Sequence, residues 1–144
     1  MPSKTPFTAK ARPYILPFAG LLTSFSAFAA QPQDLIQHCW QNHDHAGMST
    51  CVSAKATEAR TALNAEEARI RQSIQRDRES SHRNIAALFE ANVRSFKKYR
   101  HDQCALIYAL ASIGNGAEEN KKACEAELDA TRTVQLQDAA QWLE

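Results

Sequence analysis

The stretch CALIYALASIGNGAEENKKAC, residues 104–124, decides the fold of this chain. A helical pattern leads into Gly114-Asn115-Gly116 and another leaves it, because glycine and asparagine accept the left-handed backbone that ends a helix. Cys104 and Cys124 each lie ten residues from Gly114. Ten residues of helix span about 15 Å, so both cysteines reach the same level of a helical hairpin. The spacing favours a disulfide that joins two antiparallel helices.

Two further cysteines, Cys39 and Cys51, lie twelve positions apart on either side of a loop-like segment. Four cysteines allow three pairings. A segment that folds back favours Cys39–Cys51 beside Cys104–Cys124, and the two interleaved pairings stay open because spacing alone does not determine connectivity. Paired cysteines in a chain of this size are typical of proteins that fold in an oxidising compartment.

The first 29 residues have the organisation of a cleavable export signal. Three basic residues precede an apolar run that begins at Tyr14, and Ala27-Phe28-Ala29 has the small-x-small pattern that signal peptidase cleaves. A proline and a glycine interrupt this run, which is short for a membrane span of ~20 residues, so a retained anchor is the less favoured interpretation. We expect a signal peptide over residues 1–29 and one periplasmic or secreted domain over residues 30–144, without stable membrane insertion.

Removal of the signal changes the charge balance. The chain has 17 Lys and Arg and 16 Asp and Glu, and only three of these residues, all basic, precede the cut, so the mature net charge is −2. This balance argues against a generic polyanion binder. Residues 69–101 hold nine basic and three acidic residues, whereas residues 117–144 hold three basic and seven acidic residues. We interpret these segments as complementary, solvated faces of antiparallel helices, and an acidic surface for a cationic partner is the alternative.

The N-terminal part of the mature chain, residues 30–50, is loop-like, with a short helix over about residues 33–40 as an alternative for part of it. From Cys51 onward the apolar residues repeat at helical spacing. Ser49 or Thr50 is the expected N-cap of this first main helix.

Two more helices follow. The polar residues 77–82 form either a turn or part of a continuous long helix, and a second apolar pattern covers about residues 84–112. The apolar positions of this second pattern are Ile85, Leu88, Phe89, Phe96, Tyr99, Leu106, Ile107 and Leu110. A third helix is predicted from Glu118 to about Trp142. No segment has the pattern of a strand, so we predict an all-α antiparallel three-helix bundle with a loop-like N-terminal segment, stapled by two disulfides.

Three segments, in order, carry a resemblance to a known family. The first is Cys39, eleven residues and Cys51, followed by Ala62-Leu63-Asn64. The second runs from Phe96 through Tyr99-Arg100 to Cys104, and the third is Gly114-x-Gly116 followed by Cys124, Leu128, Arg132 and Leu136. Over about residues 34–136 the chain resembles the N-terminal domain of the LprI family of lysozyme inhibitors, which are small exported bacterial proteins.

The resemblance implies a protein that binds lysozyme and occludes its cleft without any chemistry of its own. The chain departs from the family at Phe96, where the family often has tryptophan, and at Glu67, where it often has tyrosine.

Five residues are candidates for contact with a protein partner: Tyr99, Arg100, Arg132, Glu118 and Glu119. Arginine suits bidentate pairing with carboxylates, so Arg100 and Arg132 either pair across the hairpin or contact the partner. Glu118 and Glu119 suit the positive end of the third helix dipole and begin its acidic surface.

Three histidines, His38, His43 and His45, surround the first two cysteines, and nitrogen and sulfur donors at close spacing are ligands of zinc. The spacing does not match a zinc module, and an oxidising compartment converts the thiols to disulfides. We therefore predict no metal and no cofactor, with a periplasmic zinc-binding protein as one alternative.

Catalytic motifs are not found in the sequence, whether a nucleophile elbow, a phosphate-binding glycine loop or a His-Glu-x-x-His motif. Glu66 and Glu67 are adjacent on a helix and point in different directions, which makes them a poor acid–base pair. The basic residues 69–101 carry aromatic side chains that we expect to be buried, so nucleic-acid binding is disfavoured. The sequence predicts a non-enzymatic binding protein, with a structural or stress-related envelope scaffold as the second alternative.

Overall fold

Four α-helices make up the described part of this chain in a computed structural model, which covers residues 32–41, 43–76 and 82–143. They are α1 (Pro32–Gln41), α2 (His45–Arg76), α3 (His82–Ala111) and α4 (Ala117–Ala140), followed by a 3-10 turn at Gln141–Leu143. Every element within these ranges is helical, which confirms the all-α prediction. The predicted signal peptide, residues 1–29, lies outside the described residues.

α1 bears out the short helix that the sequence left open over about residues 33–40, so the bundle has four helices rather than the three main helices predicted. α2 begins at His45, six residues before the predicted start, and Asp44 Oδ1 accepts a hydrogen bond of 2.8 Å from the backbone N–H of Gly47. The prediction that Ser49 or Thr50 caps α2 is therefore wrong, and Asp44 takes that role. Apolar residues do not repeat clearly at helical spacing in α1 and the first turns of α2. The helical backbone of these residues therefore depends on burial of Cys39 and Met48 in the tertiary structure.

The direction of the helices follows from contacts between their side chains. Ser49 bonds to Glu119 and Arg60 pairs with Asp129, so α2 and α4 run parallel. α3 runs antiparallel to α4, because Cys104 and Cys124 are joined on either side of the intervening turn. α4 contacts α1, α2 and α3, whereas α2 and α3 touch each other only weakly. α4 is therefore the central helix of an up-down-up bundle, with α1 packed on its N-terminal half.

Two apolar clusters form the core. The first holds Leu63, Ile70, Ile74, Leu136 and Ala140, with Phe89 and Phe96 of α3 against it. The second lies nearer the start of α2 and α4 and holds Cys39, Met48, Val52 and Ala123. Between the two clusters lies a layer of charged side chains, centred on Asp129, which is fully buried.

Part of the apolar pattern that predicted α3 faces solvent. Leu88, Tyr99, Leu106 and Leu110 of α3 are between 53% and 64% exposed. The apolar residues of α3 cover more than one face of the helix, and α4 buries only one of these faces. Their periodicity predicted a helix correctly, but it did not show which residues that helix buries.

Both favoured disulfides are present. Cys39 is bonded to Cys51 and Cys104 to Cys124, and no cysteine is free. The turn between α3 and α4 includes Gly116 at φ 125°, a backbone conformation that L-residues rarely adopt. None of the described helices combines the length and apolarity of a membrane-spanning segment.

Candidate functional site

The charged layer at the centre of the bundle is built on Asp129. Arg60 of α2 places Nε 3.2 Å from Asp129 Oδ2, and Arg100 of α3 places Nε 2.9 Å from Asp129 Oδ1. Arg100 also donates a hydrogen bond of 3.1 Å to Glu125 Oε2. The contacts to Asp129 are close but poorly aligned for hydrogen bonding, so they act mainly as ion pairs. Together they tie α2, α3 and α4 at one level.

Burial raises the pKa of Asp129 above its ordinary value, and the charges of Arg100 and Arg60 oppose that rise. The carboxylate has no exposed surface. A partner protein cannot reach it, so this layer positions the helices and does not itself form a docking surface.

A second charged group lies further along the bundle. Arg71 donates a hydrogen bond of 2.6 Å to Glu90, which joins α2 to α3, and also lies 3.5 Å from the buried Glu67. Arg132 of α4 stacks over Phe96, with its guanidinium carbon 5.5 Å from the ring centre. Burial lowers the pKa of Arg132, and the charge of Glu67 opposes that effect. Glu67, where the family often has tyrosine, is thus the buried member of a group of partly exposed charges.

One end of the bundle carries two turns and is accessible to a partner protein. We call this the two-turn end: residues 43–44 between α1 and α2, and residues 112–116 between α3 and α4. Ser49 donates a hydrogen bond of 3.0 Å to Glu119, and Lys122 donates one of 3.1 Å to Ser53, so α2 and α4 are joined directly behind the turns. Both disulfides also lie within about two helical turns of this end. The turns are therefore held on a rigid base.

The two-turn end presents apolar and acidic groups to solvent. Ile113 is 95% exposed, and Trp40 is 45% exposed with its ring edge-on to His45. Glu118 is exposed in the first turn of α4. The pKa of Glu119 is lowered, chiefly by a hydrogen bond from its own backbone N–H and also by Ser49. Exposed aromatic and aliphatic side chains at one end of a bundle are suitable contacts for a protein surface.

Comparison with known families decides the assignment. Residues 39–136 match the family described as lysozyme inhibitor LprI. The chain belongs to the LprI lysozyme inhibitor family. No curated protein and no solved structure matches the chain. The family assignment confirms the resemblance seen in the sequence.

Of the five residues predicted for partner binding in this LprI family member, two are openly accessible. Tyr99 is 54% exposed and Glu118 is exposed. Arg100 is only 16% exposed and is paired with two carboxylates of α4. Arg132 is half-buried and donates to Asn92, and Glu119 accepts from Ser49. Arg100 thus pairs with acidic residues across the hairpin, which was one of the two interpretations, whereas Arg132 bonds to an amide rather than a carboxylate. The role of both arginines toward a partner stays a prediction.

The histidines do not come together with further ligands. His38, His43 and His45 lie on α1, in the turn and at the start of α2, and the described residues contain no group of three side chains able to hold a metal ion. The nearby Cys39 and Cys51 are bonded to each other.

An open groove of about 420 Å³ lies where α1 leaves α2 and α4 uncovered. Alanines form much of its lining, and Glu127 lies at its edge with Oε2 buried and without a hydrogen bond. Burial raises the pKa of Glu127, and the charge of Asp34 adds to the rise. The groove contains no other feature that points to a ligand.

Sequence reasoning missed the central place of Asp129 and the accessibility of Ile113. The position of Asp129 carried a signal, because it follows the buried Ala126 by three residues and precedes the buried Leu136 by seven. An acidic residue on the apolar face of a helix indicates a buried ion pair. Ile113 carried no such signal, since its exposure depends on how far the turn projects.

Proposed function

We propose that this protein is exported and inhibits lysozyme by seating its two-turn end over the substrate cleft. Membership of the LprI family is the observation that carries this proposal. An inhibitor that occludes a cleft needs a surface that is already ordered before binding, because ordering it during binding would cost affinity. At this end one disulfide joins α1 to α2, the other joins α3 to α4, and two hydrogen bonds join α2 to α4. These links support such a surface.

The charges and apolar groups at the two-turn end suit such a target. Lysozymes of host defence are cationic, so an exposed carboxylate such as Glu118 favours approach. Ile113 supplies an apolar anchor at the tip of the turn. Glu125 and Asp129, which lie further along α4, are engaged by Arg100 and contribute little to this surface.

Export is part of the proposal. Two disulfides form in an oxidising compartment such as the periplasm, and from the cleavage pattern at Ala27-Phe28-Ala29 we expect a mature N-terminus at Ala30. Intact mass of the protein recovered from the cell envelope measures this directly. A membrane-bound species that retains residues 1–29 would contradict it.

The test of inhibition is a cell-wall turbidity assay with purified mature protein and several lysozyme types. We expect lysozyme activity to fall in proportion to added protein until equimolar amounts are reached. Ile113→Arg should abolish most of this inhibition, because it places a cation against a cationic enzyme. Trp142→Arg is the matched control, since Trp142 is 91% exposed but lies at the opposite end of α4.

Two results would contradict the proposal. Full lysozyme activity at a large molar excess of the mature protein would overturn the inhibitor function. Inhibition that Ile113→Arg leaves unchanged would instead overturn the two-turn end as the docking surface.

A further inference from the structure

The open groove beside α1, which we call the alanine groove, combines an apolar lining with one unpaired acidic group. Four of its lining residues are alanines of two helices: Ala59 and Ala62 of α2, and Ala126 and Ala130 of α4. Its volume of about 420 Å³ is that of a site for a small molecule. Methyl groups offer no polar partner, so most of a ligand in this groove must be apolar.

Glu127 is the acidic group of the alanine groove. Its Oε2 atom is buried and makes no hydrogen bond to any described residue. Burial of a carboxylate oxygen without a partner destabilises a protein, and such atoms are rare in native structures. Residues that break this rule are typical of functional sites, where a ligand supplies the missing partner. Glu127 therefore indicates a ligand that carries a hydrogen-bond donor.

The charges around Glu127 favour a cationic donor over a neutral one. The negative charge of Asp34, which precedes the lining residue Leu35 in α1, adds to the raised pKa of Glu127. Lys55, a cation of the α2 wall, pairs with Glu58 at 2.8 Å rather than with Glu127. A positive charge beside Glu127 would offset both the burial and the repulsion from Asp34. The alanine groove is thus complementary to a cation.

A ligand reaches the Glu127 carboxylate without any movement of the backbone. Glu127 is only partly buried and belongs to the lining of the alanine groove. The last torsion of a glutamate side chain has broad minima, so the carboxylate rotates easily and either oxygen can turn toward the groove. An ammonium group has three donors and suits such a carboxylate, whereas a hydrocarbon chain suits the alanines.

We propose that the alanine groove binds a small linear aliphatic amine, with its ammonium group paired to Glu127 and its hydrocarbon chain along the alanines of α2 and α4. The α4 wall extends seven residues from Ala126 to Thr133, or about 10 Å, which suits a short chain. The proposal does not depend on lysozyme inhibition, because the groove lies along the side of the bundle and not at the two-turn end.

The first test changes the head group of the ligand and keeps its hydrocarbon chain. Hexylamine, hexanol and hexanoate are titrated at pH 7 into isotope-labelled mature protein, and the chemical shifts of backbone amides report binding. We expect hexylamine to shift the amides of Ala59 and Ala126 and to bind about tenfold tighter than hexanol, the effect of a hydrogen bond to a charged group. Hexanoate should not bind, because the charges of Glu127 and Asp34 repel it.

The second test changes the acidic group. Glu127→Gln should weaken hexylamine binding about tenfold, to the level of hexanol, because it removes the charge and keeps the shape. The same variant should resist urea better than the wild-type protein when no ligand is present, so weak binding would not result from a damaged fold. Glu118→Gln is the matched control, since Glu118 is exposed in the first turn of α4 outside the groove, and it should bind hexylamine as the wild-type protein does.

The third test fills the groove. Ala62→Leu places a larger side chain in the lining and should block hexylamine and hexanol alike. Ala68→Leu makes the same change at an exposed position of α2 outside the lining, and it should leave both affinities unchanged. Circular dichroism spectra identical to that of the wild-type protein establish that both variants are folded.

A lysine side chain of a partner protein carries the same ammonium group, so a further titration uses Nα-acetyl-lysine amide. We expect this compound to bind more weakly than hexylamine, because its two amide groups meet an apolar lining. Tighter binding of the lysine derivative would overturn the small amine and assign the groove to a lysine of a protein partner.

Three other results would overturn the proposal. Equal affinities of hexylamine and hexanol for the wild-type protein would show that the groove does not select a cation. Hexylamine binding that Glu127→Gln leaves unchanged would exclude Glu127 as the group that binds the ammonium. Amide shifts that stay constant at the highest amine concentration reached would show that the groove holds no amine. A turbidity assay of lysozyme measures a different surface and bears on none of these results.

Discussion

Arg100 Nε lies 2.9 Å from Oδ1 of Asp129, a carboxylate with no exposed surface. This pair joins α3 to α4, and the contact of Asp129 with Arg60 extends it to α2. A buried carboxylate is costly unless cations surround it, so three helices are held at one level by the need to keep these charges together. The charged layer thereby sets the register of the bundle between its two apolar clusters.

Removal of that carboxylate should destabilise the fold strongly. Asp129→Ala leaves Arg60 and Arg100 without their shared partner, and breaking a buried ion pair in this way costs roughly 3–5 kcal/mol. Glu125 still pairs with Arg100, so we expect a value near the lower end. Urea unfolding followed by circular dichroism measures the loss. Asp138→Ala, at an exposed position of the same helix, is the control and should change stability by less than ~0.5 kcal/mol. Equal effects of the two variants would contradict a structural role for Asp129.

Replacing Glu127 by a neutral residue should stabilise the protein at neutral pH but not at acidic pH, because one carboxylate oxygen of Glu127 is buried without a hydrogen bond. Because burial raises the pKa of Glu127, the stability linked to its protonated form is complete below pH 4.5, the ordinary value, and is lost as the pH rises through the folded-state pKa. Glu127→Gln keeps a neutral side chain at every pH. We expect it to unfold at higher urea concentration than the wild-type protein at pH 7, and the difference should disappear below pH 4.5. Glu118→Gln is the exposed control on α4, and a gain of the same size there would rule out this explanation.

The disulfide between Cys104 and Cys124 should contribute about 3 kcal/mol, because it closes a loop of 20 residues in the unfolded chain. Cys104→Ala combined with Cys124→Ala removes it without placing a polar group in a buried site. Urea unfolding under oxidising conditions should show that loss. With reductant present, the variant and the wild-type protein should unfold at nearly the same urea concentration, and a persistent gap would indicate damage to packing instead.

The turn between α3 and α4 should tolerate a side chain at one glycine and not at the other. Gly116 has φ 125°, so Gly116→Ala forces a strained backbone and should cost roughly 1–3 kcal/mol. A Cβ at Gly114 meets no atom within 4 Å, and Gly114→Ala should be close to neutral. Thermal unfolding of the two variants measures the contrast. Equal melting temperatures would contradict the positive-φ requirement at Gly116.

Binding to a cationic lysozyme should depend on salt. Glu118→Lys reverses an exposed charge at the two-turn end and should slow association more than it speeds dissociation, because charges at a binding surface act mainly on encounter. The effect should shrink as salt rises, since screening acts within ~8–10 Å at physiological ionic strength. Asp138→Lys makes the same charge change at the far end of α4 and is the control for surface plasmon resonance. Equal changes in the association rate would place the docking surface elsewhere.

Much of the fold could be predicted from local signals in the sequence. Apolar residues at helical spacing predicted α2, α3 and α4, and most of the predicted helix ends lie within a few residues of the observed ones. Such spacing is a property of each helix alone. The glycine turn and the equal distances of Cys104 and Cys124 from Gly114 predicted the hairpin and its disulfide. For the candidate site, Tyr99 and Glu118 are exposed, and their role as contact residues stays a prediction. The expectation that the aromatic side chains of residues 69–101 are buried is wrong for Tyr99.

Tertiary structure decided what each helix buries. Tertiary packing stabilised α1 and extended α2 toward its N-terminus. Burial of Cys39 and Met48 keeps the backbone helical there, although the apolar periodicity of the sequence is weak. Tertiary packing placed Asp129 between Arg60 and Arg100, residues 69 and 29 positions away in sequence. It also left Leu106 and Leu110 in solvent, although their spacing is that of a core face. Periodicity states which side chains share a face, but only the positions of the neighbouring helices determine whether that face meets protein or water.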